Sequence, residues 1–188
     1  MSRYSKWGEK EHSERDRLIA LLPAGILFLV IIPYILLVTS PSLDARIGLD
    51  RLSPSPASLI IGGILVALGL AFAQWSIYMQ FTHGRGTPLP MIPTQRLITT
   101  GPFRYCRNPM TLGTILAYLG LSIAAATTVG ILIVVALATL LLLYLKRMEE
   151  KELAERFGEE YLAYKREVPF IIPKLKRRDY PTGRGRAA

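Results

Sequence analysis

Charged positions are distributed very unevenly along this chain. Three stretches, residues 18–43, 52–82 and 109–145, contain no Asp, Glu, Lys or Arg and run to 26, 31 and 37 residues. A helix rises about 1.5 Å per residue and the hydrocarbon core of a bilayer is about 30 Å thick, so each of the first two stretches makes one membrane helix. One helix of the third would be about 55 Å long, nearly twice the membrane. That stretch reads instead as a hairpin of two helices of about eighteen residues each, turning at Ala124-Ala125-Ala126-Thr127-Thr128-Val129-Gly130, where small residues and Gly130 interrupt the larger apolar side chains. The predicted architecture is all-α: a polytopic membrane protein of about four transmembrane helices, the last two a hairpin, followed by a cytoplasmic amphipathic helix.

Composition agrees, with 51% hydrophobic residues and a mean hydropathy of +0.31. The net charge of +9 gives the chain an orientation. Lys and Arg number five before the first stretch, two between the first and second, four between the second and third, none in the hairpin turn and twelve after residue 145. Basic residues collect on the cytoplasmic side, so both termini and the loop of residues 83–108 are expected there. Residues 1–17 read as an interfacial segment around Trp7, residues 18–173 as one membrane domain, and residues 174–188 as a basic tail against anionic lipid. The first stretch is longer than a signal-peptide core and lacks a small-x-small cleavage site, so it is taken as a span. Basic loops facing anionic lipid account for the charge better than nucleic acid does. One cysteine, Cys106, and two histidines, His12 and His83, leave no intramolecular disulfide framework and too few soft ligands for a zinc or iron–sulfur site.

Candidate chemistry lies where the loop and the chain after residue 145 share a membrane face. Pro88, Pro90, Pro93 and Pro102 keep the loop irregular, and Gly84-x-Gly86 reads as a turn. Asn108-Pro109 is a helix start: Asn108 is expected to cap, with Pro109 in the first helical position, and free amides and the dipole end suit an anion. A structural cap and a ligand site are both open readings. Beyond the hairpin, steps of three or four connect Glu150, Leu153, Phe157, Tyr161, Tyr164 and Val168, which predicts one helical stripe with Glu150 facing inward at its head. The alternatives are a Glu150 ion pair with Lys146 or Arg147 one turn earlier, and tyrosines that serve as core. Gly158 inside the pattern predicts a bend or a close backbone approach. Cys106 reads as a small packed thiol.

These residues carry a resemblance. Gly101-Pro102-Phe103-Arg104-Tyr105 followed by Arg107-Asn108-Pro109-Met110-Thr111-Leu112-Gly113 is similar to the Gly-Pro-Tyr-Arg…Arg-His-Pro-x-Tyr-x-Gly signature of the isoprenylcysteine carboxyl methyltransferase and phospholipid methyltransferase superfamily. The acidic pair Glu149-Glu150, then Phe157-Gly158, Tyr161, Tyr164, Val168-Pro169 and Pro173, resembles its carboxyl-terminal pattern in order and spacing. The resemblance implies S-adenosylmethionine as methyl donor and a lipophilic acceptor entering from the bilayer. It places Tyr105, Arg107, Asn108, Pro109, Leu112, Gly113, Glu149, Glu150, Tyr161 and Tyr164 around the cofactor. Asn108 stands where many members have His, Thr111 replaces a Tyr, and Phe170 sits where an Arg often follows the Val-Pro pair. Neutral Asn hydrogen-bonds but cannot act as an acid or base.

Transfer of a methyl group from a sulfonium needs alignment and exclusion of water, and no covalent nucleophile. On this reading the helix start at Asn108-Pro109, with Arg104 or Arg107, receives the cofactor carboxylate, and Glu150, or after it Glu149, receives the ammonium or ribose hydroxyls. Tyr161 and Tyr164 supply aromatic faces for the adenine or the sulfonium. Glu150 and Arg166 are the candidate catalytic residues, and Arg166, Lys165 and Arg85 are the cations suited to an acceptor carboxylate or lipid phosphate. A prenylcysteine-like carboxylate and a phospholipid amine are the two leading acceptors; small thiols and other lipophilic acids fit the same chemistry. The rival readings are a nicotinamide-dependent membrane reductase of related fold and a non-enzymatic membrane scaffold.

Overall fold

The structure is a computed structural model that describes residues 22–23, 25–49, 53–83 and 96–174. The predicted amino-terminal interfacial segment, the Gly84-x-Gly86 turn, Arg85 and the basic tail after Lys174 lie outside the described residues. Among the described residues the chain is helical, with no strand. Helix α1 spans Leu27–Arg46, α2 Pro56–Thr82, α3 Pro109–Ala124, α4 Thr128–Tyr144 and α5 Glu150–Glu167, with a wide π turn, Leu145–Glu149, joining the last two. Three helices are long and apolar enough to cross a membrane: α1, α2 and the continuous Thr128–Glu167. The fourth apolar helix, α3, has 16 residues, about 24 Å, and lies along α2.

Pro33 breaks the regular bonding of α1. It lacks an N–H, and π turns occupy Leu27–Ile31 and Ile35–Thr39 on either side of it. Buried Ser40 closes the second one by donating its hydroxyl to the Ile35 carbonyl at 2.9 Å. Helix α2 begins with a reciprocal cap between Ser55 and Ser58, followed by Pro56 in the first turn.

Helices α2 and α3 run antiparallel with their backbones in contact. A Cβ added to Gly69 would stand 2.5 Å from the Gly113 carbonyl oxygen, and one added to Gly113 would stand 2.5 Å from that of Gly69. Gly62 and Gly120 repeat the arrangement one level away. In a lipid-solvated bundle, where apolar contact alone gives little preference between helix and lipid, such small-residue contact is a main source of helix association. It also fixes register, bringing the end of α2 beside the loop that leads into α3: Met79, Ile98 and Phe103 pack together there.

The hairpin turn falls inside the predicted stretch. Helix α3 ends at Ala124, Ala126 adopts φ 50°, and Thr127 caps α4 by accepting the Gly130 N–H at 3.1 Å. Gly130 is therefore in the first turn of α4 and not in the turn itself. Buried Asp44 of α1 completes this end of the bundle, accepting the Thr128 and Val129 N–H groups at 3.1 and 2.9 Å. One carboxylate from a neighbouring helix thus satisfies two of the free amides at the start of α4.

Helix α5 brings the predicted stripe together, Leu153 and Phe157 packing on buried Tyr161, Tyr164 and Val168, but it is not straight. Gly158 has φ 54° and ψ −131°, a conformation outside the helical region, and a Cβ there would meet nothing within 4 Å. Of the two roles predicted for Gly158, the structure has the bend. In a straight helix Lys165 would lie about 22 Å from Glu150. Their side chains instead meet at 2.7 Å, because the second half of α5 folds back over the first.

Candidate functional site

The loop entering α3 is pinned from two sides. Gly101, at φ 62°, starts a 3-10 turn, Gly101–Arg104, and packs against Met79 of α2. The folded-back half of α5 holds the rest: Tyr164 donates its hydroxyl to the Phe103 carbonyl at 2.7 Å, the Arg107 N–H bonds to the Pro169 carbonyl at 2.9 Å, and the Lys174 N–H to the Tyr105 carbonyl at 3.0 Å. The Val-Pro segment predicted from the sequence is therefore a strap over the loop.

At the centre of this junction lies a charged cluster. Glu150, with a side chain 8% exposed, contacts Arg107 through Oε1 and Lys165 through Oε2. Neither Lys146 nor Arg147 is its partner, so the predicted alternative of a pair one turn earlier gives way to long-range pairing produced by the bend at Gly158. Arg107 is further held by the Tyr161 hydroxyl at 3.2 Å and by the Phe170 ring, whose centroid is 5.6 Å from the guanidinium. Among the described residues, Arg107 Nε is buried without a hydrogen-bond partner, and Glu150 Oε1 has the Arg107 ion pair as its contact; Gln80 Oε1 on α2 is likewise buried without a hydrogen-bond partner. Buried polar groups are nearly always satisfied, and unsatisfied ones are a feature of sites that wait for a ligand.

The start of α3 faces the same junction in a form the sequence did not suggest. Asn108 makes no side-chain cap; its Nδ2 instead donates to the Phe170 carbonyl at 3.0 Å. The correction has a physical reason: the strap offers Asn108 an acceptor from another part of the chain, and the first amides of α3 are left without a side-chain cap. Two of the departures from the superfamily signature, Asn108 and Phe170, thereby meet. Among the described residues nothing groups three or more His, Cys, Asp or Glu in a metal-binding arrangement.

Other predicted site residues fall into separate places. Pro109 is buried at the helix start and Leu112 is half-buried one turn on. Gly113 packs backbone to backbone on α2, which accounts for its small size. Tyr161 and Tyr164 are buried together, with rings 6.3 Å apart, and Val168 packs on them. Burial pushes the Tyr161 hydroxyl up from its ordinary value, with the charge of Glu150 adding to the effect. Tyr105 is half-buried, its ring 6.4 Å from that of Trp75. Glu149 is half-buried next to Glu150, and its carboxyl is pushed up to about 7 by burial first and then by Glu152 and Glu150. Arg166 is exposed and is not brought into the cluster. Cys106 is fully buried, and burial raises its thiol to about 11, which fits an inert packed residue.

Gln80 was not singled out by its sequence context. Its signal is spacing: Gly62, Gly69, Ala73 and Ser76 form the buried face of α2, and Gln80 continues that face one turn later.

Residues 57–160 match the phospholipid methyltransferase family, a stretch that runs from the first turn of α2 past Arg107 and Glu150 and ends before Tyr161 and Lys165. The chain belongs to this family. Among curated relatives of this phospholipid methyltransferase family member, the methanethiol S-methyltransferase of Crocosphaera subtropica is 29% identical over 102 residues, covering 54% of this chain and 36% of that protein. The enzyme of the same name from Pseudomonas deceptionensis is 33% identical over 75 residues, covering 40% and 28%. Methanethiol S-methyltransferase 2 of Bradyrhizobium diazoefficiens is 31% identical over 104 residues, covering 55% and 38%. The matched part is about a third of the length of these relatives. No solved structure matches the chain.

Proposed function

We propose that this chain is an integral membrane methyltransferase that moves a methyl group from S-adenosylmethionine to an apolar acceptor at the cytoplasmic membrane face. The observation that carries the reading is the buried Arg107–Glu150 pair beside the uncapped start of α3. The fit to the cofactor rests on the same pair: a buried guanidinium nitrogen without an acceptor suits a carboxylate, and the buried Glu150 carboxylate, whose Oε2 already meets an ammonium from Lys165, suits an ammonium or hydroxyl. The group supplies the reactive methyl carbon when bound.

The protein's part is binding and alignment. Arg107, aimed by Tyr161 and the Phe170 ring, would hold the carboxylate together with the first amides of α3. Glu150 would hold the ammonium, with Glu149 beside it. The strap of residues 168–174 covers the loop beside the buried Arg107–Glu150 pair, where electrostatic contacts are stronger than in water. A carboxylate, or a thiolate that has already lost its proton to water, needs no proton acceptor on the protein, in keeping with neutral Asn108. The relatives' names favour sulfur as the accepting atom, and the bilayer-facing helices favour an acceptor that partitions into lipid. Four spans, with both termini and the site on the cytoplasmic side, follow from the charge pattern.

Calorimetric titration of the purified protein in detergent with S-adenosylmethionine and S-adenosylhomocysteine tests the cofactor. Micromolar binding, weakened at least tenfold by Glu150→Gln, is the expected result; unchanged affinity in that variant rejects the role of Glu150. Methyl transfer from labelled cofactor to a short-chain thiol, a prenylcysteine analogue and phosphatidylethanolamine, each in vesicles, then identifies the acceptor, with the thiol expected to react fastest.

A further inference from the structure

Lys165 differs from every other member of the charged cluster. Its side chain is 42% exposed, whereas those of Arg107 and Glu150 are 10% and 8% exposed. Arg107 has Tyr161 and the Phe170 ring to fix it in addition to Glu150; the partner the described residues give Lys165 is Glu150 Oε2, at 2.7 Å. It reaches that atom on a flexible four-carbon stem, from the half of α5 that folds back at Gly158.

Charge makes Lys165 the odd group out. Arg107 and Glu150 together present one cation and one carboxylate, the mirror image of an α-amino-acid zwitterion. With Lys165 included the cluster carries a surplus positive charge, and the Glu150 oxygen that would receive an ammonium already has one. A lysine ammonium and an α-ammonium are the same chemical group, each a compact cation with three N–H donors.

We infer that Lys165 is a built-in stand-in for the cofactor's amino group, occupying Glu150 Oε2 in the ligand-free protein and leaving for solvent when the amino-acid end of the cofactor binds. This rests on the cofactor reading above. Lys165 is then a residue that sets cofactor affinity by competition. It keeps the buried Glu150 paired at all times, since a buried carboxylate stripped of a partner is costly. Its half-exposed position makes departure cheap, because the ammonium returns to water without crossing a packed interior.

The test compares two nucleosides on the full chain in detergent by calorimetry: S-adenosylhomocysteine, which has the amino and carboxyl groups, and 5′-methylthioadenosine, which has neither. Lys165→Met is expected to bind S-adenosylhomocysteine roughly tenfold more tightly than wild type while its affinity for 5′-methylthioadenosine moves by less than about twofold. Lys165→Arg, which restores a cation, is expected to fall back to wild-type affinity. Weaker or unchanged binding of S-adenosylhomocysteine by Lys165→Met overturns the inference, as does equal tightening for both nucleosides. Lys165→Gln is a second neutral variant; if neither neutral variant folds, Lys165 is a structural partner of Glu150 and the competition does not exist. Wild-type protein that binds neither nucleoside defeats the cofactor reading itself, whereas wild-type binding with indifferent Lys165 variants defeats only the competition.

Discussion

Two buried carboxylates, Asp44 and Glu150, sit in contrasting surroundings. Asp44 is 3% exposed, and its two oxygens each accept a backbone N–H from the start of α4. Glu150 is 6% exposed and lies between two cations from distant parts of the chain, Arg107 and half-exposed Lys165, and Arg107 keeps a buried Nε without a hydrogen-bond partner. The Asp44 junction is closed: every oxygen is used by the fold, and the helix dipole it faces is fixed. The Glu150 junction is open in another sense: its partners are side chains that can exchange for a ligand's groups, Lys165 is half-exposed, and Arg107 Nε has no acceptor. A buried polar group that the protein itself completes contributes stability, and one left incomplete is available to a ligand.

That contrast predicts which property each end controls. Asp44→Asn is the largest expected effect, because an amide nitrogen would face a backbone N–H and the charge opposite the α4 dipole would vanish. We expect a loss of about 2–3 kcal/mol of stability, seen as a lower melting temperature in detergent, with cofactor affinity of the folded fraction unchanged. Glu150→Gln is set apart by affinity: Lys165 escapes to water and Arg107 keeps only a carbonyl acceptor, so melting also falls because a buried cation loses its counter-charge, while cofactor affinity falls at least tenfold. A Glu150→Gln variant that melts as badly as Asp44→Asn and still binds cofactor normally would erase the distinction between the two ends. Tyr164→Phe comes next. It removes the buried 2.7 Å bond to the Phe103 carbonyl and leaves that oxygen unpaired, for an expected loss of about 1 kcal/mol. Its effect on cofactor affinity should be smaller than that of Glu150→Gln, since the Tyr164 hydroxyl ties down the loop and carries no charge.

The two ends also differ in how far the sequence revealed them. Charge-free stretches and the small residues of 124–130 located the hairpin and its turn, because both follow from local length and composition. Gly158 announced the bend for the same reason. Asp44 did not stand out: a single acid between two apolar stretches reads as loop polarity until α1 is seen packed on α4. The pairing of Gly69 with Gly113 and Gly62 with Gly120 is equally non-local, since each glycine alone only weakens a helix, and meaning comes from the antiparallel register. At the site, Arg107, Glu150 and Tyr161 were legible through motif spacing, and the structure brings them together. Their geometry was not. One continuous α5 stripe cannot deliver Lys165 to Glu150, and the cap expected of Asn108 yielded to a carbonyl 62 residues away in sequence.

Glu149 supplies the smallest and most selective test of the open junction. It lies beyond the charge-free stretch that ends at Leu145, half-buried beside Glu150 and Glu152, and its carboxyl is raised from 4.5 to about 7 by burial and by those two neighbours. The folded chain therefore holds the Glu149 proton more tightly than the unfolded chain does. Linkage then gives a contribution that is fully present below the ordinary carboxylate range and is lost as pH rises through about 7. Melting temperature in detergent should fall gently across that window, and Glu149→Gln, which cannot ionise, should flatten the fall. Saturating S-adenosylhomocysteine should flatten it as well in the wild type, because an ammonium placed beside the acidic pair favours ionised Glu149. If the slope is the same in wild type and Glu149→Gln, the acidic pair is already neutralised by groups of the fold, and the Glu150 end is as closed as the Asp44 end.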